Sequence, residues 1–520
     1  MNAEFKFKRS MTLGSGAAEN DGEFLEKCFV RTSDFESLLD YTDRRFILLG
    51  RTGSGKTALL RMALEKIAVS IQIRPDTFAM QYISNIPFIR ELNSLGINLE
   101  IFYKFLWLHE ILSKIIRSYF AYNRKNFIAQ FVQHVANPYR IGQMKRYFEE
   151  YGDVFFEEKS AENITQQLES KIFANVGDVK RLAIGGSISE LEKKDIQTKA
   201  STCVNTTQIN QLKNIITLLK EYLSENRQRK IFVAIDDLDT NWIADKTKYQ
   251  LIGALLSTLR LFVDVPNLKI VIAMRSDVFR KTCIETKRQN EKDEAFTLKL
   301  NWTKDLLKEI LEQRLGHLYS HKYQKNYLVR IEDLFVKEVE KKPIFEYLVE
   351  RTMMRPRDLI TFVNFCIENS DGKSVVDEAS LKVSEREYLH NRFDAIVSEW
   401  HEVYPAVQSL VRLLYKLPNE FSMDNLLSAY KVFEAELLSR NDEDDPLVKK
   451  ILTISADDKA AVEALMKELL DVWYIIGVVG KQDEVSLTFS TPNHPSLDEI
   501  DFADAQWYEV HPLFRHSLPM

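Results

Sequence analysis

Apolar residues along this chain fall into two rhythms. Short continuous runs, Phe46-Ile47-Leu48-Leu49, Ile231–Ile235 and Ile270–Met274, have the length and composition of buried strands. Val69-Ser70-Ile71-Gln72-Ile73, ahead of Pro75, reads as a further strand. Between the runs, apolar positions recur at helical spacing, as in Ala58, Leu59, Leu60, Met62, Ala63 and Leu64. Strands alternating with helices predict an α/β fold, a parallel sheet covered on both faces. From about 98 to 150 the spacing is helical and rich in aromatics (Phe102, Tyr103, Phe105, Trp107), which predicts a helical insertion in the core domain. Ser33-Asp34-Phe35-Glu36 has the pattern of a capping box opening a helix that runs to about Asp40. Ile209–Ser224 reads as a helix, 303–376 as a helical lid, and the chain from about 384 as helices with a β-rich tail. In that tail the pattern predicts a helix over Leu465–Gly480 and strands at Val485–Ser490 and Tyr508–His511. Residues 1–22 mix charge, Gly and Ser without periodicity and are expected to form a loose arm. The domains expected are thus this arm, a core over 23–302 with an insertion at about 76–170, a lid over 303–376, and a C-terminal domain over 377–520.

A length of 520 residues exceeds a single core, and 45% hydrophobic with 28% charged residues is the balance of an ordinary folded chain. The net charge of −6 proposes neither nucleic acid nor an anionic membrane as partner. Its distribution is uneven: residues 384–520 hold 12 Lys/Arg against 25 Asp/Glu, so the preceding part is mildly basic and the tail acidic. Four cysteines, Cys28, Cys203, Cys283 and Cys366, lie far apart without a CxxC pair, which speaks against a disulfide framework or zinc site. No uninterrupted run of about 18 apolar residues occurs, so a cytoplasmic protein without a membrane role is expected.

The strongest chemical signal is Gly50-Arg51-Thr52-Gly53-Ser54-Gly55-Lys56-Thr57, followed by Ala58, between a strand and a helix. Glycines let such a loop curl so that successive N–H groups face phosphates. Lys56 supplies a charge, Thr57 offers a hydroxyl to Mg²⁺, and the helix N-terminus adds its dipole. The loop is therefore read as the ATP site, with residues Gly50 to Ala58 around the cofactor. A second signal is Ile231–Ile235 ending in Asp236-Asp237-Leu238-Asp239. Asp236 is the expected Mg²⁺ ligand beside Thr57, Asp237 the residue that orients the attacking water, and Asp239 a cap. A third strand ends in Met274-Arg275-Ser276-Asp277, where Arg275 is a candidate γ-phosphate sensor. Finally Arg355-Pro356-Arg357-Asp358 opens a lid helix. There Arg357, by register, is the candidate that reaches the phosphates and couples their loss to lid motion.

Together these motifs resemble bacterial P-loop ATPases of the AAA+/STAND neighbourhood. One group has a metal strand reading Ile-Asp-Asp-Leu-Asp with a Trp close behind, as Trp242 stands here. The set is similar also to KAP ATPases and to initiator-type AAA+ proteins, whose lid helix starts at Pro-Arg-Asp, matched by Pro356-Arg357-Asp358. The resemblance covers roughly residues 25–370. It implies a P-loop NTPase sheet, ATP hydrolysis in a cytosolic homo-oligomer, and a winged-helix unit after the lid. The membrane spans found in many KAP proteins have no counterpart here, and neither Arg260 nor Arg280 stands out as an arginine acting on a neighbouring subunit. Gly185-Gly186-Ser187 lacks the context of an ABC signature and reads as a hairpin turn.

Within 114–147, Lys114, Arg117, Tyr119, Tyr122, Arg124, Lys125, Phe127, Tyr139, Arg140, Lys145 and Arg146 interleave cations with aromatics. Amphipathic helices with solvated cations explain this pattern, and nucleic-acid contact is the alternative. The tail has the helix-then-hairpin order of a winged helix, yet its acidity favours protein docking over DNA. His511 is expected to pack. No second catalytic centre is visible, so the expected function is an ATP-hydrolysing switch or assembly subunit acting on a protein partner. By family analogy that partner is an effector encoded nearby in an antiviral defence system, and the alternative is a DNA-associated remodelling or translocating ATPase.

Overall fold

Five short apolar segments make one sheet: β1 (Ile47–Gly50), β2 (Val69–Ile73), β3 (Ile231–Ile235), β4 (Leu268–Arg275) and β5 (Thr297–Lys299), in the order β2-β3-β4-β1-β5. The computed structural model describes residues 5–74, 99–119, 138–155, 206–225, 230–238, 245–289, 291–323, 329–439 and 445–515. Strands β2, β3 and β4 run parallel, with Ile71 opposite Val233 and Val233 opposite Ile270. A parallel sheet is covered on both faces, which is why β3 is apolar and buried at every position and does not alternate. The architecture is mixed α/β, as the pattern predicts.

By its internal contacts the chain forms two units, one of residues 31–49 and 59–298, the other of residues 1–30, 50–58 and 299–520. The first holds the sheet. Helix α1 (Lys56–Lys66) follows the loop after β1, and α2 (Glu100–Tyr119), α3 (Pro138–Phe155), α4 (Thr206–Glu225), α5 (Asp245–Leu259) and α6 (Ser276–Thr286) follow in sequence. Helix α2 is buried on nearly all sides, and the indole N–H of Trp107 donates to the Leu251 carbonyl of α5 at 2.9 Å. Of the expected insertion, only α2 and α3 lie among the described residues; Gly185-Gly186-Ser187, Asp239 and Trp242 lie outside them. The helix expected from Ser33 does start there, but its cap is one residue earlier: the Thr32 hydroxyl accepts from the Phe35 N–H at 3.2 Å.

The second unit contains α7 (Lys304–Tyr323), the hairpin β6 (Glu338–Val339) and β7 (Lys342–Pro343), α8 (Ile344–Glu350), α9 (Pro356–Glu368) and α10 (Glu378–Trp400). Its C-terminal part carries α11 (Lys459–Ile476) and a four-stranded sheet, with β8 (Glu420–Phe421), β9 (Val479–Gln482), β10 (Leu487–Thr488) and β11 (Trp507–Val510) in the order β10-β9-β11-β8. The tail helix was expected to continue to Gly480. It stops at Gly477, which adopts φ 85° and lets the chain turn into β9.

The loose arm expected over 1–22 is packed from Phe5 onward. Phe7 and Leu13 are buried among lid residues, Phe7 exchanges backbone hydrogen bonds with Gly372 and Lys373, and Asp21 pairs with the buried Arg314. These anchors are single residues among polar ones, so no periodicity announces them.

Candidate functional site

The loop between β1 and α1 has the backbone its sequence requires. Gly53 and Gly55 have φ of 79° and 92°, a region closed to most side chains. At Gly53 the space is closed as well, because an added Cβ would stand 2.7 Å from the Cβ of Arg357. The Lys56 ammonium curls back and donates to the carbonyls of Gly50 and Arg51, each at 3.0 Å. The indole N–H of Trp302 donates to the Ser54 carbonyl at 2.8 Å. A curled loop with its lysine held over it at a helix N-terminus fits an anionic phosphate group.

Around this loop lies a cluster of buried charge. Arg355, immediately before α9, donates to the Thr52 carbonyl at 2.7 Å and pairs with Asp358 at 2.9 Å. Arg392 of α10 takes the other oxygen of Asp358 at 2.6 Å. Glu399, near the end of α10, accepts from the Thr52 N–H at 3.2 Å and stands 3.5 Å from Arg355 and 3.9 Å from Arg392. Burial alone would raise the Asp358 carboxyl, but Arg355 and Arg392 outweigh it and hold it down at about 2. Arg51 donates to the Ile476 carbonyl at 2.5 Å, at the end of α11, and lies 5.9 Å from the centre of the Trp400 ring. Burial, with Arg355 adding repulsion, lowers the Arg51 guanidinium to about 10.

Arg357, the arginine chosen by register, also adjoins the loop. Its N–H donates to the Gly53 carbonyl at 3.4 Å and its side chain reaches the Gly16 carbonyl at 2.8 Å. Arg355, Arg392, Glu399 and Trp302 join these residues although they are not among the sequence candidates. Arg355 sits in the same Arg-Pro-Arg-Asp string as Arg357 and carries the same local signal; Glu399 is 347 residues from Thr52, and no local pattern marks it.

The remaining candidates lie in the sheet unit. Asp236 is buried at the end of β3, and its N–H donates to the Ile73 carbonyl at 3.4 Å, extending the parallel ladder. Asp237 has φ 62°, a strained conformation for a residue with a Cβ, and its N–H donates to the Asp236 carboxylate at 3.0 Å. Arg74 approaches the Asp237 carboxylate at 3.8 Å. Arg275 ends β4 and makes a two-pronged pair with Asp277, at 2.9 and 2.6 Å. Arg260 is drawn onto Asp293 at 2.7 Å. In the insertion, Tyr119 packs edge-on against Tyr222, Arg140 pairs with Glu221 and Lys114 lies 3.8 Å from Glu110, whereas Tyr122, Arg124, Lys125 and Phe127 lie outside the described residues.

Sheet and loop define a mixed α/β protein with a five-stranded parallel sheet. Residues 305–397 match a FunZ-associated C-terminal helical domain, and this segment includes Arg355, Arg357, Asp358 and Arg392. The chain is also similar to a putative transposon gamma-delta 80.3 kDa protein of Escherichia coli (strain K12), with 21% identity over 520 residues, covering 97% of this chain. It spans 66% of that protein's length.

Proposed function

We propose that the chain is a P-loop ATPase, an ATP-binding and ATP-hydrolysing switch or assembly subunit that acts on a protein partner. The observation that carries the proposal is the loop: two left-handed glycines and a lysine at the head of α1 form a cradle suited to a nucleotide's phosphates. In this proposal Lys56 and the loop N–H groups would bind the phosphates, Thr57 and Asp236 would each serve as a Mg²⁺ ligand, and Asp237 would orient water for in-line attack. When bound, Mg²⁺ would neutralise charge on the outer phosphates. Arg275 and Arg357 keep their proposed roles as sensors of the γ-phosphate, and Arg355 joins them because it touches the loop directly. The C-terminal helices and antiparallel sheet are read as a winged-helix-like, protein-docking unit. The partner is proposed to be an effector encoded nearby, in an antiviral defence system.

The second reading is a DNA-associated remodelling ATPase. The E. coli relative is named for a transposon, and a chain acting with a mobile element has DNA within its reach. One titration tests both. Fluorescent ATP analogue with Mg²⁺ should bind the wild-type chain, and Lys56→Ala should weaken binding by about 10–100-fold, the loss of a charge-assisted contact. Stimulation of phosphate release by DNA would favour the second reading; stimulation by a copurifying protein, the first.

A further inference from the structure

We infer that Glu399 binds the phosphate loop as a carboxylate competitor of phosphate, so that the chain's own helix α10 contends with nucleotide for the loop. The inference deepens the proposed function and rests on the loop being a nucleotide site. A phosphate-binding loop uses backbone N–H groups as its anion donors. Here one of them, that of Thr52, is already given to a carboxylate at 3.2 Å. The carboxylate is no surface visitor, since the Glu399 side chain is 2% exposed and is flanked by Arg355 and Arg392. Arg355 meanwhile donates to the Thr52 carbonyl, so the peptide units on both sides of Thr52 are held by the same cluster. The Lys56 ammonium faces the Gly50 and Arg51 carbonyls, the loop's own oxygens. An internal anion thus sits on the loop, and cations stand behind it.

Carboxylate and phosphate oxygens compete for the same donor, and a nucleotide brings more negative charge to it than one glutamate. Once phosphate takes the Thr52 N–H, Glu399 loses that bond to the loop while Arg355 and Arg392 stay beside it, and the end of α10 can shift. The next residue, Trp400, lies against Arg51, and Arg51 bonds the last carbonyl of α11. Displacing Glu399 therefore loosens a contact chain that runs from the loop through Trp400 and Arg51 to the C-terminal sheet. The surplus of three arginines (Arg51, Arg355, Arg392) over two carboxylates (Asp358, Glu399) favours an incoming anion at the same place.

Fluorescent ATP analogue titrated with Mg²⁺ against wild type, Glu399→Gln, Glu399→Asp and Lys56→Ala tests this, alongside hydrogen exchange of the 50–58 segment without nucleotide. Glu399→Gln should bind about tenfold or more tightly than wild type, a gain of about 1.4 kcal/mol, and its loop amides should exchange faster. Glu399→Asp keeps the charge opposite the arginines but shortens the reach, so it should also bind more tightly; it decides the matter if the Gln variant misfolds. If wild type binds, Lys56→Ala binds about 10–100-fold more weakly, and neither Glu399 variant binds more tightly, the inference is overturned while the nucleotide reading stands. Failure of every variant to bind overturns both.

Discussion

Asp237 combines a strained backbone with the role proposed for the residue that orients water. Its φ of 62° is disfavoured for residues with a Cβ, but Asp and Asn tolerate it because their short polar side chains bond locally. Asp237→Asn should accordingly keep the fold, moving the unfolding free energy by less than about 1 kcal/mol in thermal melts, since it spares the backbone. If Asp237 acts on water, the same variant should lower ATP hydrolysis by about 10²–10⁴-fold, the range for losing a general base, with nucleotide binding retained. His511 makes a residue-scale case for pH. Its Nδ1 accepts from the Leu513 N–H and its Nε2 faces the Thr352 carbonyl, both at 3.2 Å, so only the neutral ring with its proton on Nε2 satisfies both. Burial holds it down at about 4 against an ordinary 6.5, with the Thr352 carbonyl acting the other way. The unfolded chain therefore takes up the proton first as pH falls. Stability from this residue is complete above about pH 6.5 and drains away as pH falls through about 4, by up to about 3 kcal/mol. Denaturant titrations across that window should show the decline, and His511→Gln should flatten it.

At the scale of elements, the arginine that holds the loop stands just before α9, and the aspartate that anchors it lies in the first turn of that helix. Asp358 is shared by Arg355 and Arg392, both buried, so Asp358→Asn should cost about 3–5 kcal/mol, as for a broken buried pair, and lower the unfolding midpoint accordingly. The strands and the loop were legible because each is local: a continuous apolar run, then glycines and a lysine in fixed order. The start of α9 was legible for the same reason. What contacts the loop was not, because Glu399 lies on a helix whose sequence shows only an ordinary mixture of charges. The early end of α11 was missed for a simpler cause: the apolar run Val478-Val479 continues past Gly477, and only the left-handed φ there shows that helix has become strand.

Across the whole chain, charge asymmetry changes meaning once partners are seen. Several acids of the tail are internal: Glu385 pairs with Arg351, Glu399 faces Arg355, and Asp501 bonds Lys481. Part of the acidic excess thus neutralises arginines of the lid instead of facing outward. If the chain forms the homo-oligomer that its resemblance implies, the remaining asymmetry would bring the basic part of one subunit against the acidic tail of the next. High salt should weaken self-association measured by sedimentation, and association unchanged by salt would count against it. The N-terminal arm likewise gains a structural role. Deleting residues 1–22 removes Phe7 and Leu13 from a core and leaves the buried Arg314 without Asp21. The loss should be about 3–5 kcal/mol or more, read by denaturant unfolding.

Binding of ATP by the loop from Gly50 to Thr57 is the proposal on which the others rest, and equilibrium titration of fluorescent ATP with Mg²⁺ decides it. Saturable binding to the wild-type chain is expected, weakened by about 10–100-fold in Lys56→Ala without unfolding of the protein. Absence of binding to every variant, or binding that Lys56→Ala leaves unchanged, would contradict it.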